Sequence, residues 1–201
     1  LRFVAAPPPP QNLRSCFTLL IVVLLRPFLT PFVGGCMEGW LPVSEFMQAL
    51  LALGGIETHP DYDRIKLNLD RMEPALLLLD RHSGAVTARY TPSHHQLSCR
   101  HLDVSPDGVV IAGYQYEGPD WETPPLLARL DTATGMFSEP ELPQEELAGL
   151  RNYTASIAIS RHAPLAVVTA PLGNRAIIIN YRTGELLQRV AVQDVAGALP
   201  F

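Results

Sequence analysis

Three features of this sequence predict an all-β chain built from stacked, four-stranded antiparallel blades. The first is a recurrence: an apolar run ends in Asp or Asn, two residues pass, and Ser/Thr-Gly follows before a second apolar run. The copies are Leu77-Leu78-Leu79-Asp80-Arg81-His82-Ser83-Gly84, Ala128-Arg129-Leu130-Asp131-Thr132-Ala133-Thr134-Gly135 and Ile178-Ile179-Asn180-Tyr181-Arg182-Thr183-Gly184. Asp80 and Asp131 are 51 residues apart, Asp131 and Asn180 are 49. A fixed period of this size, with a hairpin at each recurrence, is what radially stacked blades produce. The second feature is an independent echo, since Ser105-Pro106-Asp107-Gly108 and Ser160-Arg161-His162-Ala163 hold equivalent places 55 residues apart. The third is the run of short apolar segments separated by turn residues, which argues for strands. Together they predict a partial β-propeller of about two and a half to three blades, preceded by an N-terminal segment of different character.

The bulk properties agree with one domain. Of the 201 residues, 47% are hydrophobic, enough for a core, and only 17% are charged. A net charge of −5 offers no electrostatic case for nucleic acid. Cys16, Cys36 and Cys99 form no C-x-x-C pair and are too scattered for a disulfide framework. The chain opens on Leu1 and stops at Phe201 in what reads as a new strand, as a piece of a longer protein would.

Residues 1–49 are set apart from the propeller of residues 50–201. Pro7 to Pro10 can be neither helix nor central strand. Cys16 to Leu25 is almost wholly apolar, follows Arg14 and is halted by Arg26-Pro27; it is too short to span a bilayer. Three readings stand: an export signal, with Val33-Gly34-Gly35-Cys36 loosely like a lipoprotein cleavage site and a possible membrane tether; a foreign edge of a fragment; or an ordinary strand.

The strands then follow in blade units of about 50–91, 101–138 and 155–190, with the start of another at 192–201. Leu50 to Ile56 is the first, broken by Gly54-Gly55, which fit a bend or bulge and not a phosphate loop. Ala75 to Leu79 and Ala85 to Tyr90 form a hairpin. Leu102 to Ser105 and Val109 to Gln115 follow, then Leu126 to Leu130 and Met136 to Ser138. The last unit comprises Ser156 to Ser160, Leu165 to Thr169, Ala176 to Ile179 and Glu185 to Val190. Helix remains open for Ser44 to Leu53 and for Gln144 to Arg151.

With the strands of a blade named A to D, the A–B and C–D connections are tight turns. The B–C connections, Glu57 to Pro74 and Tyr116 to Pro125, are long, as are the D–A connections, Thr91 to Arg100 and Glu139 to Ala155. In an up-and-down blade these long loops emerge on one rim, which names the working face. The binding candidates there are His59, Asp61, Lys66, Asn68, His95, Arg100, His101 and Trp121. His59, Asp61 and Asp63, completed by His95 and His101, have the residue types of a metal site but no recognised ligand spacing. The histidines therefore read first as a structural network, and no metal or cofactor is assigned. Trp121 reads equally as a stacking platform or an edge cover. Cys99, with His95 or His101 as base, has the parts of a nucleophile but sits where a small buried apolar group is expected. His59 and Lys66 are expected to approach the His95-to-His101 segment. Arg100 is the expected organiser, bridging Asp61 or Asp70 to backbone carbonyls.

Gly54-Gly55-Ile56-Glu57-Thr58-His59-Pro60-Asp61, Lys66-Leu67-Asn68-Leu69-Asp70, Met72-Glu73-Pro74 and His95-Gln96-Leu97-Ser98-Cys99-Arg100-His101-Leu102 resemble a bacterial family of exported proteins. This is the domain-of-unknown-function family 1513, a β-propeller of the YVTN and WD-repeat kind, and the similarity runs from about Gly54 to the end. The family normally has further blades ahead of this point and a twin-arginine signal; no Arg-Arg pair occurs here. The resemblance implies a periplasmic accessory protein, often encoded beside imelysin-like, iron-linked proteins, with no known reaction. The expected function is thus a non-enzymatic binding or scaffold module that docks a protein or small-molecule ligand on its long-loop rim. The alternative is a propeller enzyme of the lactonase or metal-dependent hydrolase type using His59, His95 and His101.

Overall fold

The structure, a computed structural model, describes residues 21–24, 48–59, 61 and 65–199, the first four as backbone only. Strands β1 (Ile21–Leu24), β2 (Gln48–Leu53), β3 (Ala75–Asp80) and β4 (Val86–Tyr90) form the first blade in that order. The second holds β5 (Leu97–Val104), β6 (Val109–Tyr116), β7 (Leu127–Asp131) and β8 (Met136–Ser138). The third holds β9 (Ser156–Ile159), β10 (Leu165–Ala170), β11 (Arg175–Asn180) and β12 (Leu186–Ala191). Every pairing is antiparallel between chain neighbours, as the repeat predicts.

Strand β1 comes from the apolar run that begins at Cys16. It pairs with β2 from Ile21 opposite Ala52 to Leu24 opposite Ala49, completing the first blade. The rest of that run, the polyproline stretch and Cys36 lie outside the described residues, and with them the export and tether readings. Gln48–Leu53 is a strand, which removes the helical option there, whereas Gln144–Leu150 is a helix, α1, in the second D–A connection.

The blades are graded from inside to outside. Middle strands such as β6 are buried along nearly their whole length, while β4 and β12, at the outer edge, expose most of theirs. Short outer strands carrying Arg89, Gln188 and Arg189 are how a sheet edge is kept from pairing further. The faces of the blades meet in one core. Leu50, Leu76 and Leu78 of the first blade join Leu97, Ile111 and Leu127 of the second and Ile159, Val168 and Ile177 of the third.

The three recurring turns are the same object. Asp80 Oδ1 accepts from the backbone N–H of His82 at 3.0 Å and of Ser83 at 2.7 Å. Asp131 Oδ1 does so from Ala133 at 3.0 Å and Thr134 at 3.2 Å, and Asn180 Oδ1 from Arg182 at 2.9 Å and Thr183 at 3.4 Å. Gly84, Gly135 and Gly184 then donate to the Asp80, Asp131 and Asn180 carbonyls, each at 2.8 Å. Their φ values of 69°, 73° and 82° lie in the left-handed region, which glycine enters without a Cβ clash. The Ser83 and His82 contacts also hold the Asp80 carboxyl below its usual range.

One expectation about the connections needs correction. Strand β5 starts at Leu97, not Leu102, so Cys99, Arg100 and His101 belong to the strand and the D–A loop ends at Gln96. Leu102 to Ser105 alone looked like a strand because Ser98 to His101 breaks the apolar run. The third B–C connection, unlike the first two, is short: one 3-10 turn at Pro171–Gly173 followed by Asn174 in the left-handed conformation at φ 49°. Residues 192–199 hold no strand; they run back across the third blade, where Ala198 N–H donates to Ser156 Oγ at 3.2 Å.

Candidate functional site

The long loops meet on one rim and are fastened from beneath. At the neck of the first B–C loop, Asn68 is 3% exposed; its Oδ1 accepts from Glu57 N–H at 2.7 Å and its Nδ2 donates to the Gly55 carbonyl at 2.8 Å. Gly55 turns at φ 73°, and a Cβ there would lie 2.7 Å from Pro74 N and 2.8 Å from Glu73 C. Both ends of the loop are thereby locked, and Asn68 is a pin rather than a ligand-facing group.

The pairing of β5 with β6 slips between Cys99 and His101, which leaves Arg100 as the extra residue of a β-bulge. Bulges re-aim a side chain, and this one sends Arg100 to Glu117, at the start of the second B–C loop. Arg100 donates to Glu117 Oε1 at 2.9 Å and to Ser98 Oγ at 3.0 Å, while Lys66 from the first B–C loop takes Glu117 Oε2. The Glu117 side chain is 4% exposed. The expected bridge from Arg100 to Asp61 or Asp70 is not made among the described residues; its carboxylate partner is Glu117. Sequence reasoning missed Glu117 because its partners, Lys66 and Arg100, stand 51 and 17 residues away.

The D–A loop joins the same cluster. Gln96 Nε2 donates to the Leu69 carbonyl at 3.0 Å, tying it to the first B–C loop, and Glu117 N–H donates to the Gln96 carbonyl at 2.9 Å. His95 stacks on His94 with ring centres 4.7 Å apart, and His94 meets Tyr116 edge-on at 5.2 Å. His59 lies in the first B–C loop, its Nδ1 accepting from Asp61 N–H at 3.2 Å. His101 is half-buried in β5, where burial and the neighbouring Arg100 charge lower its pKa and favour the neutral ring. Asp63 lies outside the described residues. Among the described residues no group of three or more His, Cys, Asp or Glu is placed to hold a metal ion. Cys99 is fully buried and its thiol is pushed up to about 12, so it stays protonated and packs as a small apolar group.

The second B–C loop continues the chain of contacts around the rim. Tyr116 Oη donates to Glu122, Gln144 Nε2 to Thr123 Oγ1, and Asn152 Nδ2 to the Glu122 carbonyl at 3.1 Å. A Cβ on Gly173 would strike the Gly149 carbonyl, so the third B–C turn lies against α1. Buried Glu146 of α1 has Arg189 at 2.7 Å and Arg175 at 3.6 Å, which hold the helix to the third blade. Above this bonded layer the loops expose large apolar side chains: Trp121 at 83%, Ile65 and Leu172 each at 59%, and Leu67 at 43%. Trp121 therefore covers no blade edge.

The opposite rim carries a cleft of 220 Å³ between the second and third blades, lined by Asp107, Arg161, His162, Pro164, Tyr181 and Arg182 among others. Arg182 Nε donates to Asp107 Oδ2 at 2.9 Å and Ser105 Oγ to Asp107 Oδ1 at 2.5 Å. Burial raises the Asp107 pKa, yet bonds from Ser105, Tyr181 and Arg182 outweigh it and hold the carboxyl low.

The family model described as "Protein of unknown function (DUF1513)" matches residues 43–200, and the chain belongs to that family. Among solved structures, that of U3-55K is similar over 76% of this chain and 38% of its own, at 11% identity and a TM-score of 0.51. The crystal structure of the RRP9 WD40 repeats is similar over 76% of this chain and 37% of its own, with the same identity and score. This chain thus spans under two fifths of either. Both likenesses show the propeller fold. No curated protein matches the chain.

Proposed function

We propose that this member of the domain-of-unknown-function family 1513 is a non-enzymatic binding or scaffold module whose partner docks on the long-loop rim. One observation carries the reading: the first two B–C loops and the D–A connections are bonded into a continuous layer, the third B–C turn packs against its helix, and Trp121, Ile65, Leu67 and Leu172 stand exposed above it. A rigid platform under exposed large apolar side chains is the physical form of a protein-docking surface. The family resemblance supports a periplasmic setting and a link to iron-uptake systems.

A photo-crosslinking residue at position 121 or 172, compared with one at position 82 or 133 on the turn rim, tests the docking face in cells. Adducts specific to positions 121 and 172 are expected; adducts confined to the turn rim would refute the reading. Release of the tagged full-length protein by osmotic shock tests the compartment.

A further inference from the structure

Resting on that docking face, we infer that the partner presents a basic, Lys/Arg-rich polypeptide segment with apolar side chains between its charges. The five connections that make the rim (residues 54–74, 91–96, 117–126, 139–155 and 171–174) hold twelve acidic residues against four basic ones. Of the described cations in these connections, Arg151 is exposed, while Lys66 and Arg71 pair within the rim, as does Arg100 of β5 beneath it. Lys66 and Arg100 are taken by Glu117, and Arg71 by Glu57 at 3.3 Å. Asp70, Asp120, Glu122 and Glu141 carry no cationic partner among the described residues and are exposed. Negative potential is thus left over at the surface.

The apolar groups sit within that field. Trp121 stands between Asp120 and Glu122 at the tip of a loop stiffened by Pro119, Pro124 and Pro125. An exposed indole flanked by two carboxylates suits an arginine or lysine: the cation lies over the ring face while the carboxylates take its N–H groups. Ile65, Leu67 and Leu172 offer anchorage for apolar side chains on either side. A second copy of this chain fits poorly, since each carries a net charge of −5.

Titration calorimetry on the full chain with three synthetic peptides of equal length tests this. All carry the same Leu residues, with Lys/Arg, Gln or Asp/Glu at the remaining positions. The basic peptide is expected to bind at least about tenfold tighter than the neutral one, and to weaken as salt rises from about 0.05 to 0.5 M. Trp121→Ala and the pair Asp70→Asn/Asp120→Asn should each reduce its affinity by about tenfold, while Arg81→Ala on the turn rim should not. Equal or tighter binding of the acidic or neutral peptide, or no binding of any, overturns the inference; crosslinks at positions 121 and 172 would then leave the docking face standing. Basic-peptide binding that survives Trp121→Ala but is lost in Arg81→Ala overturns both. Salt-insensitive dimerisation through the rim, seen by sedimentation, would assign the surface to a second copy instead.

Discussion

On the turn rim, Asp80, Asp131 and Asn180 each bond to the N–H groups two and three residues ahead, inside a single hairpin. On the long-loop rim, Asn68, Gln96 and Glu117 bond to groups that lie 11 to 51 residues away along the chain. The Asp80 and Asp131 turns are local closures, with Arg182 beside the Asn180 turn reaching Asp107 of the second blade, whereas on the other rim Gln96 and Glu117 each tie separate loops together. A turn can therefore be weakened by itself, whereas a change beneath the long loops is felt across the rim and by whatever docks there.

The sharpest contrast is between two glycines of nearly equal φ. Gly55→Ala combines left-handed strain with a collision against Pro74 and Glu73, and is expected to cost about 3 kcal/mol. Gly84→Ala meets nothing within 4 Å and should cost only about 1 kcal/mol. Equal losses in urea denaturation would erase the distinction between the rims. Glu117→Gln removes a carboxylate shared by two cations; because Lys66 and Arg100 keep partial solvent access, a loss of about 2 kcal/mol is expected. Coupling to Arg100→Ala in a double-mutant cycle checks that the pair is energetically real. Asn180→Ala should cost about 1 kcal/mol, since the turn also keeps its backbone bond to Gly184.

A pH titration separates the rims in another way. Asp107 has a lowered folded pKa, so its contribution is complete above the ordinary value of 3.8 and is lost as pH falls through the lower folded value. Asp107→Asn is expected to flatten that part of the stability curve; an unchanged acid limb would show that the Ser105, Tyr181 and Arg182 contacts together contribute nothing. The smallest effect belongs to Trp121→Ala, whose side chain touches little: stability should hold within about 0.5 kcal/mol. A larger loss of Tm would mean that Trp121 packs in solution and is no docking group.

The recurring turns and the long loops of the first two blades were readable in the sequence; that the first blade takes its opening strand from Ile21–Leu24, inside the segment set apart as residues 1–49, was not. Asp80, Asp131 and Asn180 act on their own neighbours, so a recurring short pattern contains the whole cause of the turn. Loop length likewise follows from the spacing of apolar runs. Only the tertiary structure decided what the rim's polar residues do. Asn68, chosen as a binding residue, pins its loop; Arg100 reaches Glu117 because a bulge in β5 turns it there; Trp121 stands exposed among the described residues. Register slips and pairings between distant loops leave no local pattern, because the energy that selects them appears only when the blades have assembled.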